Sequence, residues 1–371
     1  MTTPSSSLPS LTEPLAIDAM RAFFREKPFL FFGTGLSCAI DERFGMPALR
    51  DILLAEVTKY TLTPRQQAEW SQVSCALLRG SDLETALAGL ADEELLRTVT
   101  QVTGAFIAAL DREYSFKFAN GEVTWPAGEF LKRLVSTLPE GDPVLHAVTP
   151  NYDLLCEYSC DSLGIPYSDG FSGGQRRRRD WASVARSMSI PTAVHRRGHS
   201  AWTFRRCKHL RLYKVHGSLN YFYHSQEVVQ NDAWMWSPPS AAQRVIITPG
   251  VTKYETLQRY RQELLQTADA AISDATHFLF LGYGFNDSHL EEYIRRKLIG
   301  QGSHGLIVTR DSNPRIESLL AQCTNLWLVC RAPGSSREGT RVFNRNYRDS
   351  LHLPGKDLWR VPEFALGVLG G

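Results

Sequence analysis

Four short groups of residues in this chain have types and spacings suited to chemistry: Gly33-Thr34-Gly35-Leu36-Ser37, Thr149-Pro150-Asn151-Tyr152-Asp153, His216-Gly217-Ser218, and Gly282-Tyr283-Gly284-Phe285-Asn286-Asp287. The first places two glycines, which let a backbone approach a ligand closely, beside hydroxyls able to donate to a phosphate. The second offers an amide and a carboxylate, although an Asn at a strand end is by itself usually a turn former. The third offers an imidazole, the candidate acid or base, although a lone histidine is more often structural. The fourth repeats the glycine pair and adds an amide and an acid. Gly33-Thr34-Gly35 lacks the third glycine of the dinucleotide fingerprint, and no acidic residue closes a second strand about 20 residues on.

What unites the groups is the element before each. Apolar runs predict strands at Pro28–Gly33, Leu145–Thr149, Leu212–Val215, Val245–Thr248, His277–Gly282, Gly305–Thr309 and Leu326–Cys330. Helical periodicity falls at Leu15–Arg25, Glu129–Thr137, Leu257–Ile272, Ser288–Leu298 and Pro314–Gln322, and fills Leu49–Leu110 with almost no strand signal. The alternation predicts an α/β fold: a doubly wound, largely parallel Rossmann-like sheet with a helical insertion. The division expected is a disordered leader (1–14), an α/β domain (15–48 and 129–330), the helical insertion (49–128), a basic insertion (175–211) and a C-terminal tail (331–371) able to pack on a neighbour. Ligands bind outside the carboxyl ends of the strands in such sheets. Five successive strands, the Val245–Thr248 run into Pro249-Gly250 among them, release polar or glycine residues there. The expectation is a pocket for a nucleotide-like ligand with His216 as its acid or base.

Composition narrows the class. Hydrophobic residues make up 43% and charged residues 22%, which excludes a disordered chain. No apolar run reaches the ~18 residues of a membrane span, and the first residues lack a signal-peptide pattern, so a cytoplasmic location is expected. The seven cysteines include no C-x-x-C pair. Cys38, Cys75, Cys323 and Cys330 sit among apolar neighbours and read as buried thiols. Charge is uneven: residues 175–215 carry +11 and the remainder −9. The arginine run shows no helical or strand period, and Trp181, Trp202 and Phe204 are widely spaced. Docking to an acidic protein surface is therefore preferred over nucleic-acid binding for this segment, with a solvated loop as the bland alternative.

In order and spacing, these groups together with Gly45-Met46-Pro47-Ala48-Leu49-Arg50 resemble the motifs of the sirtuin superfamily. The Asn-Tyr-Asp form, Pro249-Gly250 with Lys253-Tyr254 downstream, and the stretch Gly282 to His289 look closer to a bacterial sirtuin-like branch of antiphage defence. The resemblance implies NAD as substrate. It places Gly33, Thr34, Gly35 and Ser37 around the phosphates, Asn151 beside the nicotinamide ribose and Asp153 after it, with His216 as the catalytic histidine. Pro47, Gly217, Ser218, Gly282, Gly284 and Asp287 complete the implied cofactor-binding set. Sirtuin deacylases usually carry an acid where this chain has Ala48-Leu49, and a four-cysteine zinc ribbon where it has no cysteine between Cys207 and Cys323. Zinc is thus not expected. The implied activity is an NAD glycohydrolase releasing nicotinamide and ADP-ribose as the effector of abortive infection. The competing readings are a protein deacylase or ADP-ribosyl transferase, and a non-catalytic nucleotide sensor. The implied partners are further copies of the chain and a HerA-type ATPase or short Argonaute complex.

Overall fold

The computed structural model describes residues 8–196, 199–248, 255–334 and 339–370. Pro249-Gly250 and Lys253-Tyr254, with residues 1–7 of the expected leader, lie outside them. In chain order the strands are β1 (Phe29–Phe32), β2 (Val144–Thr149), β3 (Tyr167–Ser168), β4 (Phe171–Gly173), β5 (Arg177–Arg179), β6 (Ser189–Arg196), β7 (His199–Arg206), β8 (His209–Lys214), β9 (Gly217–His224), β10 (Glu227–Gln230), β11 (Gln243–Ile246), β12 (His277–Leu281), β13 (His304–Thr309), β14 (Leu326–Arg331), β15 (Thr340–Phe343) and β16 (Leu351–Leu353).

The central sheet has nine strands in the order β16-β15-β14-β13-β12-β1-β2-β8-β3. It is parallel from β3 to β14 and antiparallel only where β15 and β16 join its edge. Strand β1 lies in its middle with four consecutive buried residues. Side chains alternate across a strand, so Leu30 and Phe32 enter the core on one face while Phe29 and Phe31 enter the core on the other. Each such burial contributes roughly 1.5–3 kcal/mol. Helices Glu13–Phe23, Gly128–Ser136 and Leu155–Leu163 cover the first face; Glu255–Asp274, Ser288–Arg295 and Pro314–Leu320 cover the second. The doubly wound arrangement expected from the sequence is thus present. The order of strands reverses between β1 and β12, the switch point at which such sheets open a crevice.

A second, five-stranded antiparallel sheet, β11-β9-β10-β5-β4, was not foreseen. Leu49, Leu53, Trp70, Leu77 and Leu96 from helices Met46–Glu56, Pro64–Leu78 and Glu93–Ala119 share a core with Tyr221 and Val245 of this sheet. The helices of the 46–119 stretch therefore bury their apolar faces against a partner supplied a hundred residues later. This corrects the reading of Val245–Thr248 as a strand of the main sheet. The strand there, β11, pairs antiparallel with β9 and brings Ile247 and Thr248 toward the ligand edge from the opposite side.

Four further expectations change. The segment after Arg331 is no loose tail but packs on its own chain: β15 and β16 extend the sheet, Phe364 is buried, and Arg133 and Arg21 donate to the carbonyls of Leu369 and Val368, each at 2.7 Å. The arginine run does have strand form, since β5 pairs with β4 and β10. Cys75 is exposed, because helix Pro64–Leu78 turns Trp70, Val73 and Leu77 inward instead, and Cys38, at the end of helix Thr34–Cys38, is half-buried. The helix Glu13–Phe23 also starts inside the expected leader, with Leu11 already buried.

Candidate active site

A cavity of about 580 Å3 opens at the carboxyl ends of β1, β2, β8 and β12, within the range of small-molecule sites. Of the residues singled out in the sequence, Gly33, Thr34, Pro47, Asn151, Asp153, His216, Gly284 and Asp287 line it. Gly35, Ser37, Gly217, Ser218 and Gly282 do not; they stand behind the wall and shape it.

The glycines show why. A Cβ on Gly35 would lie 2.7 Å from the Gly282 carbonyl oxygen and 2.8 Å from its Cα, and Gly35 N–H donates to that carbonyl at 3.1 Å. The loops after β1 and β12 are therefore packed backbone to backbone at the switch point. Close approach of a ligand is not what demands glycine at position 35. Gly217 holds φ +83°, and a Cβ there would fall 2.1 Å from the Val245 carbonyl oxygen. It lets the chain turn from His216 directly into β9.

Ser37 is fully buried and its hydroxyl is already engaged: it donates to Asp153 Oδ2 at 2.9 Å and accepts from Asn151 Nδ2 at 3.1 Å. This corrects the expectation of a hydroxyl free for phosphate. Its role is to fix the asparagine amide. Asn151 Oδ1 is buried with no hydrogen-bond partner among the described residues. An orphaned buried acceptor costs about 1–3 kcal/mol, and in a residue lining a cavity it marks the place where a ligand donor fits.

The loop carrying Asn151 is clamped from behind. Lys214, 2% exposed, donates to the Asp153 carbonyl at 2.6 Å and to Glu157 Oε1 at 2.8 Å. Burial pushes the Glu157 carboxyl up to about 7, while Lys214 opposes the shift. Burial likewise raises Asp153, with Lys214 and the Ser37 hydroxyl acting against it. Asp111 accepts from the Leu154 N–H at 2.8 Å and the Tyr158 hydroxyl at 2.6 Å, and burial pushes its carboxyl up to about 6. The Tyr152 hydroxyl donates to the Ile247 carbonyl at 2.7 Å, and the Leu219 N–H donates to the Tyr152 carbonyl at 3.0 Å. The Asn151 loop is thereby tied to the loop of His216.

His216 Nε2 is hydrogen-bonded to Asp287 Oδ2. With the carboxylate ionised and the imidazole neutral, Nε2 is the donor of this pair and Nδ1 is left as the acceptor of the ring. Asp287 is in turn oriented by the Leu290 N–H, which donates to Oδ1 at 3.0 Å. Asp287 lines the cavity, as a ligand-binding residue would, and its carboxylate also holds the histidine.

Sequence reading missed the far wall. Gly80, Ser81, Asp82 and Glu84 reach the cavity from the helical stretch, and Arg315 from the start of helix Pro314–Leu320. Glu84 is raised, first by burial and then by Asp287 and Asp82, with Arg315 lowering it. Arg315 lies beyond the end of β13, a strand exit not singled out in the sequence. Asp82 caps the helix Leu83–Leu87 by accepting from the Thr85 N–H at 2.8 Å. Among the described residues no group of three His, Cys, Asp or Glu side chains is placed to hold a metal ion, and no helix is long and apolar enough to cross a membrane.

Residues 145–326 match the family model described as SIR2-like domain, a span just short of half the chain. This match supports the sirtuin-superfamily resemblance carried by the motifs. No curated protein matches. Solved structures that align include one described as the structural basis for the mechanism and regulation of Sir2 enzymes, at 12% identity over 82% of this chain and 89% of that one, TM-score 0.39. A Sir2 homolog–NAD complex aligns at 10% identity over 86% of this chain and 90% of that one, TM-score 0.40. A Sir2 mutant with a p53 peptide and NAD aligns at 12% identity over 95% and 97%, TM-score 0.39.

Proposed function

We propose that this protein is an NAD glycohydrolase that cleaves NAD to nicotinamide and ADP-ribose, and that it serves as the toxic effector of an antiphage, abortive-infection system. The observation that carries the chemistry is that Asn151, with its unpartnered buried Oδ1, and His216, held by Asp287, open on one cavity at the switch point. The defence role rests on the motif resemblance alone, as do self-association and a HerA-type partner.

In the proposed reaction the bond between the nicotinamide nitrogen and the ribose carbon breaks, its electron pair leaving with nicotinamide. Asn151 Oδ1 accepts a hydrogen bond from the attacking water or a ribose hydroxyl. Nδ1 of His216 takes the proton as water forms the new C–O bond, so that NAD and water give nicotinamide, ADP-ribose and a proton. Asp287 stabilises the imidazolium that results. The loop of Gly33 and Thr34 borders the pyrophosphate.

The test is purified protein incubated with NAD alone, with NAD and an acylated peptide, and with NAD and a protein acceptor. Free ADP-ribose in the first tube, lost by at least about a hundredfold in a folded His216→Ala protein, is expected. Product only with peptide makes it a deacylase, labelled acceptor protein a transferase, and binding without turnover a sensor; each would overturn the hydrolase reading. Loss of phage protection in cells carrying His216→Ala tests the defence role.

A further inference from the structure

The ribbon β6–β7 forms a two-stranded sheet of its own, joined to neither larger sheet. In its register Ala193 faces Trp202, Pro191 faces Phe204 and Ser189 faces Arg206, so these six side chains share one face. Trp202 is 75% exposed and Phe204 76% exposed. Two residues apart on a strand, they stand about 7 Å from one another along it, with the exposed Arg206 next in line. The small residues opposite leave both rings uncovered.

The charge of the surrounding segment is redistributed by the fold. Arg176 and Arg178 bind Glu227 at 2.9 Å, Arg177 binds Asp232, and Arg205, on the opposite face of the ribbon, binds Glu140. Such exposed pairs contribute little stability, but they remove these arginines from the positive surface. Trp181, the third aromatic residue of the segment, packs on Tyr213 under the Arg211 guanidinium. What remains outward is a line of two aromatic rings and a guanidinium on a cationic ribbon. Neither reason for disfavouring nucleic acid holds: the arginine run has strand form, and Trp202 and Phe204 stand two residues apart on one strand face.

We infer that this face of β6–β7 binds single-stranded nucleic acid, with bases stacked on Trp202 and Phe204 and a phosphate on Arg206. Every base has a π-face, so such a platform is sequence-tolerant, and its cations complement the backbone charge. A duplex, whose bases are already stacked, offers the rings nothing.

Fluorescence anisotropy with labelled oligo-dT and oligo-rU of about 12 nucleotides, on the full chain without NAD, tests this. The wild type should bind, and unlabelled duplex should compete poorly. Trp202→Ala and Phe204→Ala should each weaken binding ~5- to 150-fold, Trp202→Tyr should retain it, and Arg206→Ser should lower the salt slope by about 0.7. All three positions are exposed, so melting temperatures should stay at the wild-type value. Binding of only one oligonucleotide assigns DNA or RNA as the source. No binding, equal competition by duplex, or full binding by Trp202→Ala/Phe204→Ala would overturn the proposal. So would a fall in oligomeric mass in that variant with no oligonucleotide bound by the wild type, which would mark a protein interface. Because NAD is absent, failure here leaves the hydrolase reading untouched.

Discussion

His216 and Asp287 meet by hydrogen bond although they leave strands β8 and β12, which are separated in the sheet by β1 and β2. The contact spans the mouth of the crevice. It joins the two halves of the doubly wound sheet and sets which ring nitrogen is free to accept a proton.

Asp287→Asn should therefore act on turnover more than on binding. An amide can donate to Nε2, which stabilises the tautomer with the proton on Nδ1 and removes the base. NAD hydrolysis should fall by about a hundredfold or more, with KM for NAD changed little. An equal rise in KM at unchanged kcat would place Asp287 on the ligand instead.

Gly35→Ala should be a folding defect. Its Cβ has no space against Gly282, and such overpacking costs typically about 1–3 kcal/mol. A Cβ on Gly284 meets only the Asn286 side chain, at 3.1 Å, so Gly284→Ala should melt like the wild type. Thermal melts of the two variants decide it; a wild-type melt for Gly35→Ala would return that glycine to a ligand-binding role.

Lys214→Met should destabilise by about 3–5 kcal/mol, because Glu157 is left buried without its cation. Adding Glu157→Gln should restore much of the loss, since the uncompensated charge is gone. Denaturant melts of both variants measure this, and additive losses in the double variant would contradict the pairing.

Asp111 makes stability depend on pH with a definite sign. Burial holds its carboxyl at about 6 in the folded chain against the ordinary aspartate value of 3.8, so between these values the native state holds a proton that the unfolded state has released. Its contribution is fully present below about pH 4 and lost as pH rises through 6, by about 3 kcal/mol. Asp111→Asn has no such dependence. The stability of the wild type relative to this variant should therefore shrink from pH 4 to pH 7; parallel profiles would count against the raised value.

Much of this protein was legible in its sequence because the central sheet announces itself locally. A strand buried on both faces must be apolar throughout, as Phe29–Phe32 is, and the residues after it must then lie at the ligand edge. That logic alone was enough to bring Gly33, Asn151, His216 and Asp287 to one rim. The second sheet escaped because four of its strands, β4, β5, β10 and β11, are only three or four residues long, and because Val245–Ile246 is as apolar as any strand of the main sheet. Apolarity says that a strand is buried, not which sheet buries it.

Roles, too, were decided by tertiary structure. Sequence alone identified Ser37, Asp153 and Asp287 as polar groups near a ligand. Only packing makes Ser37 the bridge between Asn151 and Asp153, gives Asp287 to His216, and sets Gly35 against Gly282. The physical reason is reach. A side-chain hydrogen bond needs its atoms within about 3 Å, and residues 116 or 71 positions apart come that close only after the sheet has placed their strands. Local sequence determines which groups stand at the edge; the strand order determines which of them touch.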